Sequence, residues 1–314
     1  MSLWLIGSGQ MAVEYAKVLT SLSYSFTVIG RGKKSAQAFT KENNISVLTG
    51  GITKALRDNT HPLTAIVAVG VEELSRTATE LIKAGTKRIL IEKPGGIDFE
   101  EIDSLNIVAE KYNATVLLAY NRRFYSSVKE ARNYINQDGG ILSAQFEFTE
   151  WSHTIKPLIK AKKVKERWLL GNSSHVLDLA FHFIGKPLDW KFWHAGSLEW
   201  HPDAARFAGA GISENNIMFN YHADWQTPGR WGIELNTLKH RLILRPLEKL
   251  QVSKIGSVTV EEVNLKSDLD VKYKPGLYRQ TDCFLKENDY LFCSLKEQVE
   301  NTFIYSQIAG YKTK

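Results

Sequence analysis

Strands alternate with helices along the first third of the chain, and few folds accept that rhythm. Leu3 to Ile6 is a short apolar strand, followed by a helix to about Ser21 with Met11, Tyr15, Val18 and Leu19 at helical spacing. Strand Ser25 to Ile29, helix Ser35 to Asn43 and strand Ile45 to Leu48 follow. Next come strand Ala65 to Val69, helix Glu72 to Ala84 stopped by Gly85, strand Arg88 to Ile91, helix Phe99 to Tyr112 and strand Ala114 to Tyr120. Helices between successive strands return the chain to the same end of the sheet, so the strands pair in parallel. The expectation for residues 1–121 is an α/β doubly wound parallel sheet. From about Trp190 the pattern changes to apolar–polar alternation. Trp190 to Phe192, Asn216 to Tyr221, Trp231 to Leu235 and Arg241 to Leu244 read as strands of an open antiparallel sheet. Gly276 to Ala309 reads as helices anchored by Tyr278, Phe284, Leu285, Leu291 and Phe303. A second, α+β domain over 122–314 is expected, and 314 residues suit two domains sharing one cleft.

The first strand-to-helix turn, Gly7-Ser8-Gly9-Gln10-Met11-Ala12, is rich in glycine. In this Rossmann setting Gly7 permits a tight turn, Gly9 admits a pyrophosphate close to the backbone, and Ala12 allows close helix–strand packing. The helix start presents free N–H groups and a partial positive charge to the phosphates. Gly7, Ser8, Gly9, Gln10 and Met11 are candidate cofactor contacts, with Val69 at the end of a later strand; a tight turn without a ligand is the alternative. The end of the second strand separates the two nicotinamide cofactors. An acid there would accept from a ribose 2′-hydroxyl, but this chain has Gly30-Arg31-Gly32-Lys33-Lys34-Ser35. Arg31 has the planar fork that suits a 2′-phosphate, with Lys33, Lys34 and Ser35 in support, so NADP is expected over NAD. An exposed basic loop is the plainer reading of the same residues.

Roughly eighty residues after the glycine turn, the strand Leu90-Ile91 runs into Glu92-Lys93-Pro94-Gly95. Two further marks are Tyr120-Asn121-Arg122-Arg123-Phe124 and the segment Gly171 to Gly185. With these the chain resembles, over nearly its whole length, the glucose-fructose oxidoreductase/inositol dehydrogenase family of two-domain NAD(P)-dependent enzymes. The resemblance implies that Lys93 lies near the nicotinamide and the reacting carbon, and that Glu92, Lys93 and Pro94 are cofactor contacts. A protonated amine can polarise a carbonyl, or hold a hydroxyl while it loses its proton. Pro94 would fix the bend under the nicotinamide, with a cis bond as one way of doing so. A surface lysine at a strand end is the bland alternative. The resemblance makes Tyr120 to Phe124 the hinge, with Tyr120 and Arg122 or Arg123 facing substrate; a structural salt bridge is an equal reading of either arginine.

On the helix at about Ser173 to Ile184, His175, Asp178 and His182 share one face. The resemblance implies a proton-exchanging His here, often with an Asp or Asn one turn before it. His175 is the preferred match, because Gly185-Lys186-Pro187 then falls at the helix end and Gly171-Asn172-Ser173 forms the cap. His182 is the alternative registration. Position 172, often Asp, is Asn172, which can orient a sugar hydroxyl but cannot take a proton, so a relay would rest on His175 and Lys93. Zinc on His175, Asp178 and His182 has too few further ligands to be adopted, and no metal is expected.

The bulk numbers exclude other classes. Net charge is +6, yet the basic residues are mostly interspersed with acids; the exception runs from Lys156 to Arg167. That stretch is either a solvated face or a basic rim attracting an anionic substrate. No nucleic-acid motif accompanies it, and no apolar run is long enough to span a membrane. Met1 to Gly7 lacks the basic start of a signal peptide, and Cys283 and Cys293 make no disulfide framework, so the cytoplasm is expected. Of the several tryptophans, Trp151, Trp168, Trp225 and Trp231 with His153 are mostly core or interface, with one or two available for a sugar ring. The reading is an NADP-dependent oxidoreductase acting on a sugar or nucleotide-linked sugar, in sugar metabolism or polysaccharide biosynthesis, as a homo-oligomer (dimer or tetramer). Lys93, His175 and Asn172 carry the chemistry. Its rivals are a cofactor-retaining glycosidase or lyase of the same fold and a non-enzymatic cofactor sensor.

Overall fold

Leu3–Ile6 forms β1 and all four side chains are buried, as a strand with helices over both faces of its sheet requires. The computed structural model describes residues 3–312; Met1, Ser2, Thr313 and Lys314, which the expected domain limits take in, lie outside the described residues. After β1 come α1 (Gln10–Ser21), β2 (Phe26–Gly30), α2 (Lys33–Asn43), β3 (Val47–Thr49) and α3 (Gly51–Asp58). Then follow β4 (Thr64–Val67), α4 (Leu74–Lys83), β5 (Arg88–Ile91), α5 (Phe99–Lys111) and β6 (Thr115–Leu118). Strand order is β3-β2-β1-β4-β5-β6, all parallel, with the short strand Cys293–Ser294 added antiparallel to β6. This is the doubly wound order whose reversal beside β1 opens a crevice. The helices bury one stripe each: α4 turns Leu74, Ala78, Leu81 and Ile82 inward at spacings of one and two turns.

The chain divides into two units, residues up to Asn121 with Leu269–Glu300, and Arg122–Asp268 with the segment from Asn301. The two-piece division expected from sequence left all of 122–314 in the second domain. Leu269–Glu300 instead belongs with the first unit. Arg88 on β5 reaches Asp289 at 2.5 and 2.9 Å with its guanidinium 4.8 Å from the Phe284 ring centre, and Tyr15 donates to Gln280. Phe284 is a buried anchor as expected. Tyr278, Leu285 and Leu291 are half-buried and Phe303 is 46% exposed, whereas Tyr305 and Ile308 of the same helix are fully buried.

The second unit carries α6 (Ser126–Gln137), β7 (Ser143–Glu147), two short helices α7 (Ser152–Ile155) and α8 (Lys162–Glu166), and α9 (Ser174–Ile184). Seven strands follow: β8 (Pro187–Ala195), β9 (Arg206–Ser213), β10 (Met218–Asp224), β11 (Gly232–Asn236), β12 (His240–Leu244), β13 (Gln251–Lys254) and β14 (Glu261–Glu262). Their order is β14-β13-β12-β11-β7-β10-β9-β8, antiparallel except for β7 with β10. Helix α9 is apolar around most of its circumference and lies on this sheet, with Phe181 edge-on to Phe146 at 5.6 Å. Strand β9 went unread in the sequence because of Gly209 and Gly211. A Cβ at Gly209 would stand 2.4 Å from the Tyr221 ring, and one at Gly211 2.4 Å from Trp190 Cβ, so the aromatic neighbours exclude any side chain there. No helix among the described residues is long and apolar enough to cross a membrane.

Gly7 is the residue with least freedom in the first unit. Its φ is +129°, and a Cβ would lie 2.2 Å from the Ala68 carbonyl oxygen. Gly7→Ala is expected to lower stability by about 1–3 kcal/mol from backbone strain alone, read as a lower urea midpoint; an unchanged midpoint would refute the close approach.

Candidate active site

A cleft of about 540 Å³ opens where β1, β2 and β4 end. It is lined by Gly7, Ser8, Gly9, Gln10 and Met11 after β1, by Gly30, Arg31 and Gly32 after β2, and by Val69 and Gly70 after β4. Gly9 faces open space, since a Cβ there would meet no protein atom within 4 Å. No side chain caps α1 and no acid sits in its first turn, so its amides are left for an anion. Gly30 must be small because a Cβ would be 2.8 Å from Val47 and 3.0 Å from the Ser8 hydroxyl. Ser8 donates to Ser35 at 3.0 Å, and Ser35 donates to the Gly32 carbonyl at 3.1 Å, which shapes the loop. These residues fit a dinucleotide, with the pyrophosphate at α1 and the adenosine end between Arg31 and the β4–α4 loop.

Arg31 lines the cleft, whereas Lys33 is exposed at the start of α2 and is not part of the lining. Arg31 donates to Glu73 at 3.1 Å, and Arg76 donates to the same carboxylate at 2.6 and 2.9 Å. The two guanidinium groups, Arg76 first, hold the Glu73 carboxyl below its usual range. Glu73 and Arg76 both line the cleft, and sequence reading missed both. Charges opening a surface helix look like ordinary solvation, and only the fold brings them to Arg31.

At the end of β5, Lys93 is half-buried and the Lys93–Pro94 bond is cis. Gln298, fully buried, donates to the Pro94 carbonyl at 3.0 Å and to the Tyr120 hydroxyl at 3.1 Å. Tyr120 is 1% exposed, and its hydroxyl is tied to this bend through Gln298. The Glu92 carboxylate accepts from Tyr15 at 2.9 Å, and burial followed by that carboxylate raises the Tyr15 hydroxyl well above its ordinary value. Glu92 thus ties β5 to α1.

In the second unit the two hinge arginines part company. Arg123 is 3% exposed and grips Asp178 of α9 at 2.8 and 2.5 Å, the ion-pair reading of the two left open. Arg122 lies with its guanidinium 4.8 Å from the Trp231 ring centre, and Arg230 lies 4.7 Å from the same ring. His175 is 7% exposed near the start of α9, its ring 6.1 Å from that of Trp231. The expected cap at Gly171-Asn172-Ser173 is absent. Leu169–Ser173 is a π-helical turn that runs straight into α9, with Ser174 donating back to the Leu170 carbonyl at 2.6 Å. The Ser173 side chain turns instead to Glu150, at 2.7 Å, and Asn172 Nδ2 donates to the same Glu150 oxygen at 2.8 Å. Only the amide nitrogen can donate to a carboxylate, so Asn172 keeps its Oδ1 as an acceptor. Glu150 is 2% exposed, takes a weaker contact from Arg230 at 3.3 Å, and burial pushes its carboxyl up. A buried carboxyl therefore stands behind the position where the resemblance leads one to expect Asp. Sequence reading missed it because strand β7, which ends three residues before Glu150, carries a weak pattern.

The basic run is partly matched. Lys156 pairs with Glu199 at 2.7 Å, Lys162 with Glu166 at 3.6 Å and Arg167 with Asp203 at 3.0 Å. Trp168 and Trp225 pack around Trp200, the latter stacked at 5.6 Å, while Trp151 is 46% exposed and donates to the Gly229 carbonyl.

No protein-family model matches the chain, and no curated protein matches it by sequence. Solved structures do match over nearly all of it. UDP-N-acetylglucosamine 3-dehydrogenase from Acidithiobacillus ferrooxidans is 16% identical with a TM-score of 0.74, covering 99% of this chain and 97% of that one. Levoglucosan dehydrogenase in complex with NADH is 15% identical with a TM-score of 0.81, covering 99% and 96%. An oxidoreductase from Agrobacterium radiobacter in complex with NAD+, L-tartaric acid and magnesium is 12% identical with a TM-score of 0.78, covering 98% and 94%. The protein has their two-domain fold, the one that the family resemblance implied.

His182 is poorly suited to exchange protons near neutrality. Burial, then the charges of Arg123 and Arg132, drive it from 6.5 down to about 2, and its Nε2 is buried without a hydrogen-bond partner. Its folded value is depressed, so its contribution is present above 6.5 and is lost as pH falls toward about 2. The expected slope from this group is at most ~1.4 kcal/mol per pH unit. Urea unfolding at pH 7.5 and 5 should show the loss in the parent protein and a smaller one in His182→Leu; equal losses would mean that the folded protein protonates His182.

Proposed function

We propose that the protein is an NADP-dependent oxidoreductase that moves a hydride to or from a ring carbon of a sugar or nucleotide-linked sugar. The observation that carries this reading is the cleft at β1, β2 and β4. It has an uncapped helix start and open Gly9, with Arg31 where an acid would select NAD. Gly7 to Met11, Ser35 and Val69 would hold the cofactor beside Arg31, and the bound cofactor supplies or takes up the hydride. Lys93 polarises the carbonyl, or holds the hydroxyl, of the reacting carbon. His175 accepts the hydroxyl proton in oxidation and returns it in reduction. Asn172, its Oδ1 left available by Glu150, accepts from a neighbouring sugar hydroxyl. The nucleotide-linked class is supported by the fold shared with the UDP-N-acetylglucosamine enzyme and by the basic run at 156–167. The two free cysteines, one of them buried, suit the cytoplasm.

Fluorescence titration with NADPH and NADH is the first test. NADPH should bind at least about tenfold more tightly, as charge-assisted phosphate contacts allow. Lys93→Ala and His175→Ala should each cut turnover of a responsive keto-sugar by about 10²–10⁴, with NADPH binding kept in His175→Ala. Tighter NADH binding would overturn the role of Arg31, and binding of neither cofactor would overturn the oxidoreductase reading.

A homo-oligomer is part of the same proposal. The outer face of β8, β9 and β10 sets Trp193 beside Ala208 and Ile212 beside Met218, with Trp193 64% and Met218 63% exposed. A flat, partly apolar sheet face is covered well by a second copy of itself. Sedimentation velocity should give a dimer or larger in the parent and a smaller species in Trp193→Glu/Met218→Lys; a monomeric parent would end this part of the proposal.

A further inference from the structure

Two arginines from separate elements converge on one carboxylate at the mouth of the cofactor cleft. Arg31, just after β2, reaches Glu73 Oε1 at 3.1 Å, and Arg76, in the first turn of α4, reaches Oε2 through Nη2 and Nε at 2.6 and 2.9 Å. All three residues line the cleft together with Gly32 and Ser35. We infer that Arg31 and Arg76 together form the 2′-phosphate clamp, and that Glu73 between them sets how strongly the protein prefers NADP over NAD. The inference rests on the cofactor reading above and names the residues that tune it.

Two guanidinium forks already meet at one anion, which is the arrangement that a phosphate dianion requires. Arg76 is held toward the site from its far side. Its Nη1 donates to Glu80 at 2.5 Å, and Glu80 is fixed in turn by Thr53 at 2.8 Å. Arg31 and Arg76 have side chains 76% and 55% exposed, so their pairs with Glu73 are screened and exchange readily for a stronger anion. When the cofactor carries a 2′-phosphate, the Glu73 carboxylate must yield both arginines to it, and its own charge opposes the newcomer. When the cofactor carries a 2′-hydroxyl, Glu73 accepts the hydroxyl proton's hydrogen bond, the task that an acid at the end of β2 performs in NAD-selective sites. One carboxylate thus favours NAD while two arginines favour NADP. The sequence around Arg31 shows only the second half of that balance.

The test is fluorescence titration of full-length protein with NADPH, NADH, 2′-AMP and 5′-AMP at fixed ionic strength, with melting curves as the folding control. Glu73→Gln should raise the NADPH-to-NADH affinity ratio about tenfold, through weaker NADH and tighter NADPH binding. Arg76→Gln should weaken NADPH and 2′-AMP about tenfold while leaving NADH and 5′-AMP within about twofold. Glu73→Asp, which keeps the charge, should stay near the parent ratio. Equal shifts of both cofactors in Glu73→Gln, or an unchanged NADPH affinity in Arg76→Gln, would overturn the inference while leaving the cofactor reading intact. A parent protein that binds neither cofactor would overturn both.

Discussion

The first unit is organised by the stitching of three neighbouring strands at their C-terminal ends. Gly7 donates to the Ile29 carbonyl at 2.8 Å, and Ala68 donates to that of Ile6 at 2.8 Å, so β1, β2 and β4 finish together. The Gly7 backbone can come that near to Ala68 only without a side chain. Every feature of the cleft inherits its place from this seam: the uncapped start of α1, Gly9 facing open space, and the loops that carry Arg31 and Glu73.

The second unit solves a different problem, that of charge out of contact with water. Arg123 and Asp178 are almost fully buried, and two hydrogen bonds between them offset part of their desolvation. Glu150 is buried too, but its short bonds come from a hydroxyl and an amide, and the one cation that reaches it, Arg230, stands farther off at 3.3 Å. The first arrangement locks α9 to the hinge segment. The second keeps a carboxyl responsive to its surroundings beside His175's helix, and it fixes which end of the Asn172 amide is offered outward.

Much of this was legible in the chain. The strand–helix rhythm, the turn at Gly7 to Ala12 and the helix ending at Gly185 are local signals, written in residues that touch one another in sequence. The sheet order follows from them by few steps. What stayed hidden depends on distant partners. Gly209 and Gly211 look like loop residues until the rings of Tyr221 and the backbone of Trp190 are set against them. Glu73 looks like solvated helix until Arg31 arrives from forty-two residues earlier. The tie between Tyr120 and the Pro94 bend stays unseen until Gln298 reaches both. The hydrophobic pattern could not place Leu269–Glu300, because an amphipathic helix suits any apolar surface and its destination is decided by polar matches such as Arg88 with Asp289.

That last segment has a consequence for how the protein is made. A nascent chain leaves the ribosome from its N-terminus, and domains commonly fold as they emerge. Here β5 waits for Asp289, α1 for Gln280, and the Pro94 carbonyl for Gln298. The whole stretch Arg122–Asp268 is synthesised before any of these arrives. The unit that begins first is therefore completed late, and during translation its β6 edge stands ready for completion while the second unit has already been spelled out.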